Sequence, residues 1–221
     1  MIKALVLGLV ALGLAACASS TNLLSEAEVK GMRIERIDVS YRPEAMIWWG
    51  KAEREFVEKE LSKKSAAPGK AKRPPSVTDA SNTGEDAISA EYNRIADSPE
   101  AKAHLRETLT RLVKERLQQE VVPEFKGTRP VVLEVVVVGF HVPSAAQRVV
   151  LGGAPTFGAL RILKDAKTGK ELAKLDQNAA GFAGNGLLGV AIDQALPDLE
   201  DRVIAAWVAQ TKAWLVQPQK S

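Results

Sequence analysis

The run VVLEVVVVGFHV at positions 131–142 constrains the fold more than any other feature of this chain. Valine is β-branched, and β-branched residues favour strands. The run is too dense in apolar residues for a strand that has one face in water, and it is typical of the central strand of a sheet. The chain is therefore predicted to build a sheet around these residues.

Amphipathic helices are predicted to cover that sheet. The first begins at Ser98, a good N-cap residue, has Pro99 at its first helical position and ends near Pro123. A second lies in the segment LPDLEDRVIAAWVAQTKAWL, and a shorter helical segment follows Gly50. Their apolar stripes consist of Leu105, Leu109, Leu112, Val113, Leu117 and Val121 in the first, Leu199, Val203, Ala206, Trp207, Ala213 and Trp214 in the second, and Ala52, Phe56, Val57 and Leu61 in the third.

Three more strands complete the predicted sheet. The segment MRIERIDVSY at 32–41 is β-rich, although its alternation slips once, which indicates a bulge. Residues 148–176 hold two strands around a hairpin turn from Asp165 to Gly169, where glycine suits a positive φ. This order predicts an α+β (α/β) two-layer sandwich. Its sheet is mostly antiparallel, with about four to five strands and two or three helices, and a right-handed crossover makes the first two strands parallel.

The same reading divides the chain into segments. Residues 32–61 and 98–216 are predicted to form a single domain. Residues 62–97 between them are rich in Ser, Ala, Pro, Gly and Lys and predict a disordered insertion loop, because such a segment buries too little apolar surface to offset its ordering entropy. The basic residues of this loop could contact anionic lipid, but a solvated linker is the simpler interpretation.

The N-terminus contains the only cysteine of the chain, Cys17, after an uncharged stretch at 4–16 that is too short to span a bilayer. The tetrad Leu14, Ala15, Ala16 and Cys17 resembles the lipobox of bacterial lipoproteins. That resemblance implies a signal peptide at 1–16, acyl chains such as palmitate on Cys17 and a lipidated tether at 17–31. Ala18 favours the periplasmic face of the outer membrane over the inner membrane. An ordinary secretory signal is the alternative, since residues 16–18 also fit its cleavage pattern.

Composition excludes several classes of function. The 30 basic and 27 acidic residues give a net charge of only +3, which does not indicate a nucleic-acid-binding protein. Two histidines and one cysteine are too few for a zinc site of the usual kind, and no acidic spacing resembles a calcium loop. The sequence therefore predicts neither a metal nor a cofactor.

Two motifs resemble catalytic or nucleotide-binding sequences, and neither carries the prediction. The segment GNGLLG at 184–189 fits a dinucleotide fingerprint but lacks the strand before it and the acid after a second strand. His141, Ser144 and Glu134 suggest a hydrolase, yet strict alternation places Glu134 and His141 on opposite faces of the strand. The chain also has no G-x-S-x-G elbow, so it is predicted not to be an enzyme.

Several segments together resemble a family of uncharacterised envelope lipoproteins from alphaproteobacteria. In that family a tryptophan and glycine segment leads into a helix, and a strand that ends in Phe-His precedes a Gly-Gly turn. The resemblance implies an envelope lipoprotein and brings no catalytic residues; this chain departs from it at Met46, where the family pattern has aspartate, and at Gly139, where it has arginine. The matching residues are Tyr41, Pro43, Ala45, Ile47, Trp49, Gly50, Gly139, Phe140, His141, Arg148, Gly152, Gly153, Asp165, Ala166, Thr168 and Gly169.

The expected function is therefore a non-catalytic lipoprotein that binds an envelope protein or lipid. The candidate partner-binding residues are Trp48, Trp49, His141, Gly152 and Gly153. Packing in the core is the competing interpretation of the two tryptophans. An alternative function is an auxiliary subunit of an envelope lipid-transport or assembly machine, which predicts a lipid pocket between the 105–121 stripe and the valine strand.

Overall fold

The computed structural model describes residues 19–22, 24–65, 82–143, 154–179 and 199–216. Its five-stranded sheet has the order β1-β5-β4-β3-β2. The strands are β1 (Ser19–Asn22), β2 (Met32–Trp49), β3 (Arg129–Val142), β4 (Thr156–Asp165) and β5 (Glu171–Ala179). β2 and β3 run parallel and every other neighbouring pair is antiparallel, which confirms the predicted two-layer α+β fold and its parallel pair.

The helices lie between the strands in chain order. They are α1 (Glu26–Lys30), α2 (Gly50–Ser65), α3 (Asn82–Ala96), α4 (Pro99–Glu120) and α5 (Leu199–Val216), with a short 3-10 turn at Val122–Glu124. Ser98 caps α4 as predicted, because its side chain accepts a hydrogen bond from the backbone N–H of Ala101 at 3.2 Å. None of the helices in the described ranges combines the length and apolar character needed to cross a bilayer.

The core lies between one face of the sheet and the helices. Leu109, Val113 and Leu117 of α4 are completely buried, as are Val131 and Leu133 of β3. Buried residues of α1, α4 and α5 all join this one cluster. Side chains of β3 that alternate with the cluster, such as Glu134 and Val136, therefore lie on the opposite side of the sheet, here called the second face.

The expected lipid pocket between the 105–121 stripe and the valine strand is not what the structure shows. The stripe and the strand belong to one buried cluster, with no exposed surface on Leu109, Leu117 or Val135. A lipid between these two layers would have to separate the core of the domain.

The predicted disordered loop at 62–97 is wrong for the part that the structure describes. Residues 62–65 extend α2, and α3 occupies most of the remainder before α4. Lys64 of α2 bonds Glu91 of α3 at 2.6 Å, and Ile95 of α3 is buried. Residues 66–81 lie outside the described ranges, so the prediction stays untested there.

The predicted tether at 17–31 is also wrong in its described part. β1 pairs with β5, and Leu24 and Val29 are buried in the core. Ser25 begins α1 through a capping box, in which its hydroxyl accepts from the Glu28 backbone while the Glu28 carboxylate accepts from Ser25. The described domain therefore starts at Ser19, two residues after Cys17.

Glycine is required at one close contact between two chain segments. Gly127 donates its N–H to the Met32 carbonyl at 2.8 Å, and a Cβ atom at Gly127 would lie 2.0 Å from the carbonyl carbon of Gly31. Any side chain would therefore push the segment before β3 away from the start of β2. This contact sets where the parallel pair begins.

The hairpin between β4 and β5 forms at its predicted place. Gly169 has a φ of 70°, a conformation that favours glycine. The carboxylate of Asp165 accepts hydrogen bonds from the backbone of Thr168 and from the side chain of Arg129, and these contacts lower its pKa to about 2. These contacts thus join the β4–β5 turn to the start of β3.

Candidate binding groove

The candidate site lies where β2 and β3 are both irregular. Tyr41 pairs with Val137 but Met46 pairs with Gly139, so β2 carries several extra residues at this point. β3 carries one extra residue relative to β4. Val137 pairs with Ala159, but Gly139, two residues further along β3, pairs with Gly158, which is only one residue from Ala159. Bulges of this kind redirect the side chains that follow them.

Two large apolar side chains of β2 lie on the surface after this irregularity. Met46 is 78 % exposed and Trp48 is 42 % exposed. Their neighbour Trp49 is only 4 % exposed and packs edge-on against Phe140, with ring centroids 5.4 Å apart. Met46 and Trp48 form what we call the Met46–Trp48 ridge, which stands on the second face at the edge strand of the sheet.

Trp48 is held in position by stacking on His141. The ring centroids are 4.5 Å apart and the planes are inclined by 29°. These two residues occupy paired positions on parallel strands, so the stack follows from the register after the bulges. The stack limits the motion of the indole while leaving much of it in contact with solvent.

A groove of about 570 Å³ runs along the inner side of the ridge. Its floor contains the paired residues Gly139 and Gly158, which contribute no side chains. A Cβ atom at Gly139 would meet only the Met46 carbonyl oxygen, at an ordinary 3.5 Å, so the fold itself leaves room for a side chain there. The lining residues are Glu44, Met46, Trp48, Val138, Gly139, Phe140, His141, Thr156 and Gly158.

A second cavity of about 490 Å³ lies on the outer side of the same ridge. It is bounded by the start of α4 and by charged residues, including Glu53, Lys102 and Arg106. Near this cavity, the Tyr41 hydroxyl donates a hydrogen bond to the Arg106 carbonyl at 2.6 Å and so joins β2 to α4. The ridge thus separates an apolar groove from a more polar one and is accessible from both sides.

The rest of the second face, in its described part, offers much less accessible apolar surface. Val132, Leu160 and Ile162 are only 8 %, 8 % and 9 % exposed. Glu134 and Lys164 form an ion pair with an N to O distance of 2.5 Å. Accessible apolar surface in the described part of this face is therefore concentrated at the ridge.

The geometry corrects one expectation about His141. Because of the bulge between Val137 and Gly139, Glu134 and His141 lie on the same face, not on opposite faces. They are still about 20 Å apart along the strand at roughly 3.3 Å per residue, and Glu134 is paired with Lys164. The His141 Nε2 atom is buried without a hydrogen-bond partner among the described residues.

Among the described residues, no three His, Cys, Asp or Glu side chains come together as metal ligands would. His141 has no carboxylate or hydroxyl partner in these ranges that would orient it as a general base. What the arrangement offers chemically is apolar contact and stacking on an aromatic face. Such a site suits recognition of a partner.

The structure brings together only some of the predicted site residues. Trp48 and His141 meet in the groove, whereas Trp49 belongs to the core. Gly152 and Gly153, like Cys17, Ser144 and residues 184–189, lie outside the described ranges. Sequence reasoning missed Met46, Gly139, Gly158 and Thr156. The available signal was a glycine within each of two strongly apolar strands, which indicates a bulge or a close approach.

Sequence reasoning also missed a buried charge on the helix-covered face. Arg161 has no exposed surface, and its guanidinium lies 4.4 Å from the centroid of the Trp207 ring. One nitrogen donates to the Trp207 carbonyl at 3.3 Å, while Nε and Nη1 have no partner among the described residues. Burial lowers the pKa of Arg161 to about 9, so the side chain is still charged at neutral pH.

No family model, no curated protein and no solved structure matches this chain.

Proposed function

We propose that this chain is a non-catalytic binding protein of the bacterial cell envelope, held by acyl chains on Cys17 at the periplasmic face of the outer membrane. It binds an envelope protein or lipid through the Met46–Trp48 ridge and the groove beside it. The lipobox-like tetrad at the N-terminus supports the anchor. The ridge supports the binding function.

One observation carries the binding function. Two large apolar side chains, 78 % and 42 % exposed, stand side by side on a strand whose next residue is buried. Single exposed apolar residues are common on protein surfaces, but adjacent ones that border a groove mark interaction sites. Aromatic residues in particular supply much of the binding energy in protein interfaces.

The alternative function, an auxiliary subunit of a lipid-transport or assembly machine, gains no support from the geometry. It required a lipid pocket between α4 and the valine strand, and those layers are packed together. A hydrolase centred on His141 is also not favoured, because no described residue is placed to activate a nucleophile there.

Site-specific photo-cross-linking in cells tests the proposal. A photoreactive amino acid replaces Met46 in the full chain and, as a matched control, Val216, which is 38 % exposed at the end of α5. We expect defined cross-linked products from position 46, few or none from position 216, and loss of the products in Cys17→Ala. Equal products from both positions would refute binding at the ridge, and unchanged products in Cys17→Ala would refute the role of the anchor.

A further inference from the structure

The position of the first described residue, Ser19, limits the distance between the domain and the proposed anchor at Cys17. Ser19 begins β1 and pairs with Asp176 of β5. Cys17 precedes Ser19 by two residues, and two residues of fully extended chain span at most about 7 Å. Acyl chains on Cys17 would therefore hold the N-terminal end of β1 close to the membrane surface.

The ridge lies at the same end of the sheet as this anchor. Met46 pairs with Gly139, Gly139 with Gly158, and Gly158 with Asn178, so one row of paired residues crosses four strands. Asn178 follows Asp176 by two residues along β5, toward the end where β1 begins. Ser19, the first described residue of β1, therefore lies within two residues of the row that contains Met46.

The distance across the sheet is also short. β1 and β2 are the two edge strands, separated by four interstrand spacings of about 4.8 Å, or about 19 Å in total. The anchor and the ridge are thus two points on one end of a rigid sheet. A domain tethered by two residues cannot move this end far from the bilayer, so the ridge stays at a high effective concentration near lipid.

We propose that the Met46–Trp48 ridge inserts into the lipid–water interface of the leaflet that holds the acyl chains of Cys17. This inference rests on the proposed function, because it needs the anchor. The amphipathic ring of tryptophan favours the headgroup region of a bilayer, and methionine is an apolar, flexible neighbour. Two contacts at one end of the sheet fix the orientation of the domain and direct the C-terminal end of α5 away from the membrane.

The position of Val216 provides an internal control for this orientation. α5 ends at Val216, and near that end Lys212 bonds Glu124 at 2.6 Å. Glu124 lies just before Arg129, where β3 begins, at the end of the sheet opposite to Trp48. Val216 is therefore an exposed apolar residue on the far side of the domain.

Quenching of tryptophan fluorescence by brominated lipid tests the proposal. The full-length acylated protein is reconstituted in phosphatidylethanolamine and phosphatidylglycerol vesicles, with and without a brominated phosphatidylcholine. The other tryptophans, Trp49, Trp207 and Trp214, are 4 %, 0 % and 7 % exposed, so the difference between wild type and Trp48→Phe reports Trp48. We expect brominated lipid to reduce that difference signal at least twofold.

The control variant combines Trp48→Phe with Val216→Trp, and its new tryptophan is expected to remain unquenched. Equal quenching at positions 48 and 216, or none at position 48 in acylated protein, would overturn the interfacial contact. If the proposed function still holds in that case, the cross-link at position 46 captures a protein.

Mass spectrometry of the same sample measures acylation of Cys17, and an unmodified cysteine would overturn the inference and the proposed anchor together. A second variant, Met46→Asp, leaves the Trp48 indole in place. We expect the quenching of Trp48 to be lost in this variant.

Discussion

Two stacks in this domain pair a tryptophan with a nitrogen-containing side chain, and they lie on opposite faces of the same sheet. Trp207 and Arg161 are both without exposed surface, with the guanidinium 4.4 Å from the ring centroid. Trp48 and His141 stack at 4.5 Å, but Trp48 remains 42 % exposed. The separations are nearly equal, so the difference between the stacks lies in what surrounds them.

Because of that difference, the buried stack contributes to stability, whereas the exposed stack can bind a partner. A buried cation–π contact is worth about 2 kcal/mol, but burying a charge without a carboxylate also costs free energy. The outer stack, formed by Trp48 and His141, buries little surface on which the fold depends and presents an indole to solvent. The inner stack, formed by Trp207 and Arg161, is therefore expected to control folding, and the outer stack is expected to control recognition.

Replacing the inner tryptophan is expected to have the largest effect. Trp207→Ala removes a completely buried side chain that contacts both Phe157 and Arg161. Such a truncation typically lowers the free energy of unfolding by about 3–5 kcal/mol. Chemical denaturation followed by circular dichroism measures the change, and a loss below about 1 kcal/mol would show that the inner stack does not control folding.

The cation of the inner stack is expected to behave differently from its aromatic partner. Arg161→Met keeps much of the side-chain volume and removes two donor atoms that have no partner among the described residues, so we expect the free energy of unfolding to rise by about 1 kcal/mol. Arg161→Ala leaves a cavity and should lower it instead. A loss of more than about 2 kcal/mol in Arg161→Met would mean that a carboxylate pairs with the guanidinium.

The same residue gives the inner stack a dependence on pH. The pKa of Arg161 is lowered by burial to about 9 from an ordinary 12.5, so the unfolded chain binds more protons between these values. Wild-type stability relative to Arg161→Met should therefore rise as the pH increases through 9. Denaturation curves of both proteins at pH 7.5 and pH 10, values on the order of one unit to either side of that pKa, measure the effect. A constant difference would contradict it.

The outer stack should tolerate truncation. Trp48→Ala removes a side chain that is partly exposed and one aromatic contact, so we expect a loss of about 1–2 kcal/mol in the free energy of unfolding. Its neighbour Trp49, only 4 % exposed, is the matched control and should cost about 3–5 kcal/mol on truncation to alanine. Similar losses for the two variants would assign both tryptophans to the core and remove the ridge as a binding surface.

A change in the groove floor should have the smallest effect on stability. Gly139→Ala places a methyl group where only the Met46 carbonyl oxygen is near, at 3.5 Å. We expect a gain of about 0.5 kcal/mol, because the unfolded chain loses conformational freedom, and a lower cross-linking yield at position 46. Gly127→Ala is the contrasting control, since its Cβ would lie 2.0 Å from Gly31, and it should destabilise the protein strongly.

Local sequence patterns predicted most of the regular elements correctly, because their signals are strong. The valine run, the cap at Ser98 and the turn at Gly169 all appear where expected. Two elements were missed although signals existed. The Ser25 and Glu28 capping box marks α1, and the i, i+4, i+7 spacing of Ile88, Tyr92 and Ile95 indicates α3.

The candidate site was harder to predict than the fold, because it depends on where two strands lose their register. Alternation alone assigns His141 to the wrong face relative to Glu134, and only the bulge at Gly139 restores the observed arrangement. The burial of Trp49 beside the exposed Trp48 follows instead from ordinary alternation, since most odd-numbered residues of β2 from Ile37 onward face the core. Arg161 was unexpected because a charged residue rarely occupies an inward position without an acidic partner, and none is found among the described residues.

The central claim is that the outer stack serves binding and is not needed for folding. The most direct test is the yield of the cross-link at position 46 in Trp48→Ala cells, compared with the chain that keeps Trp48, at equal amounts of folded protein. We predict that the yield falls at least tenfold while the amount of folded protein is maintained. An unchanged yield in the Trp48→Ala variant would contradict the account.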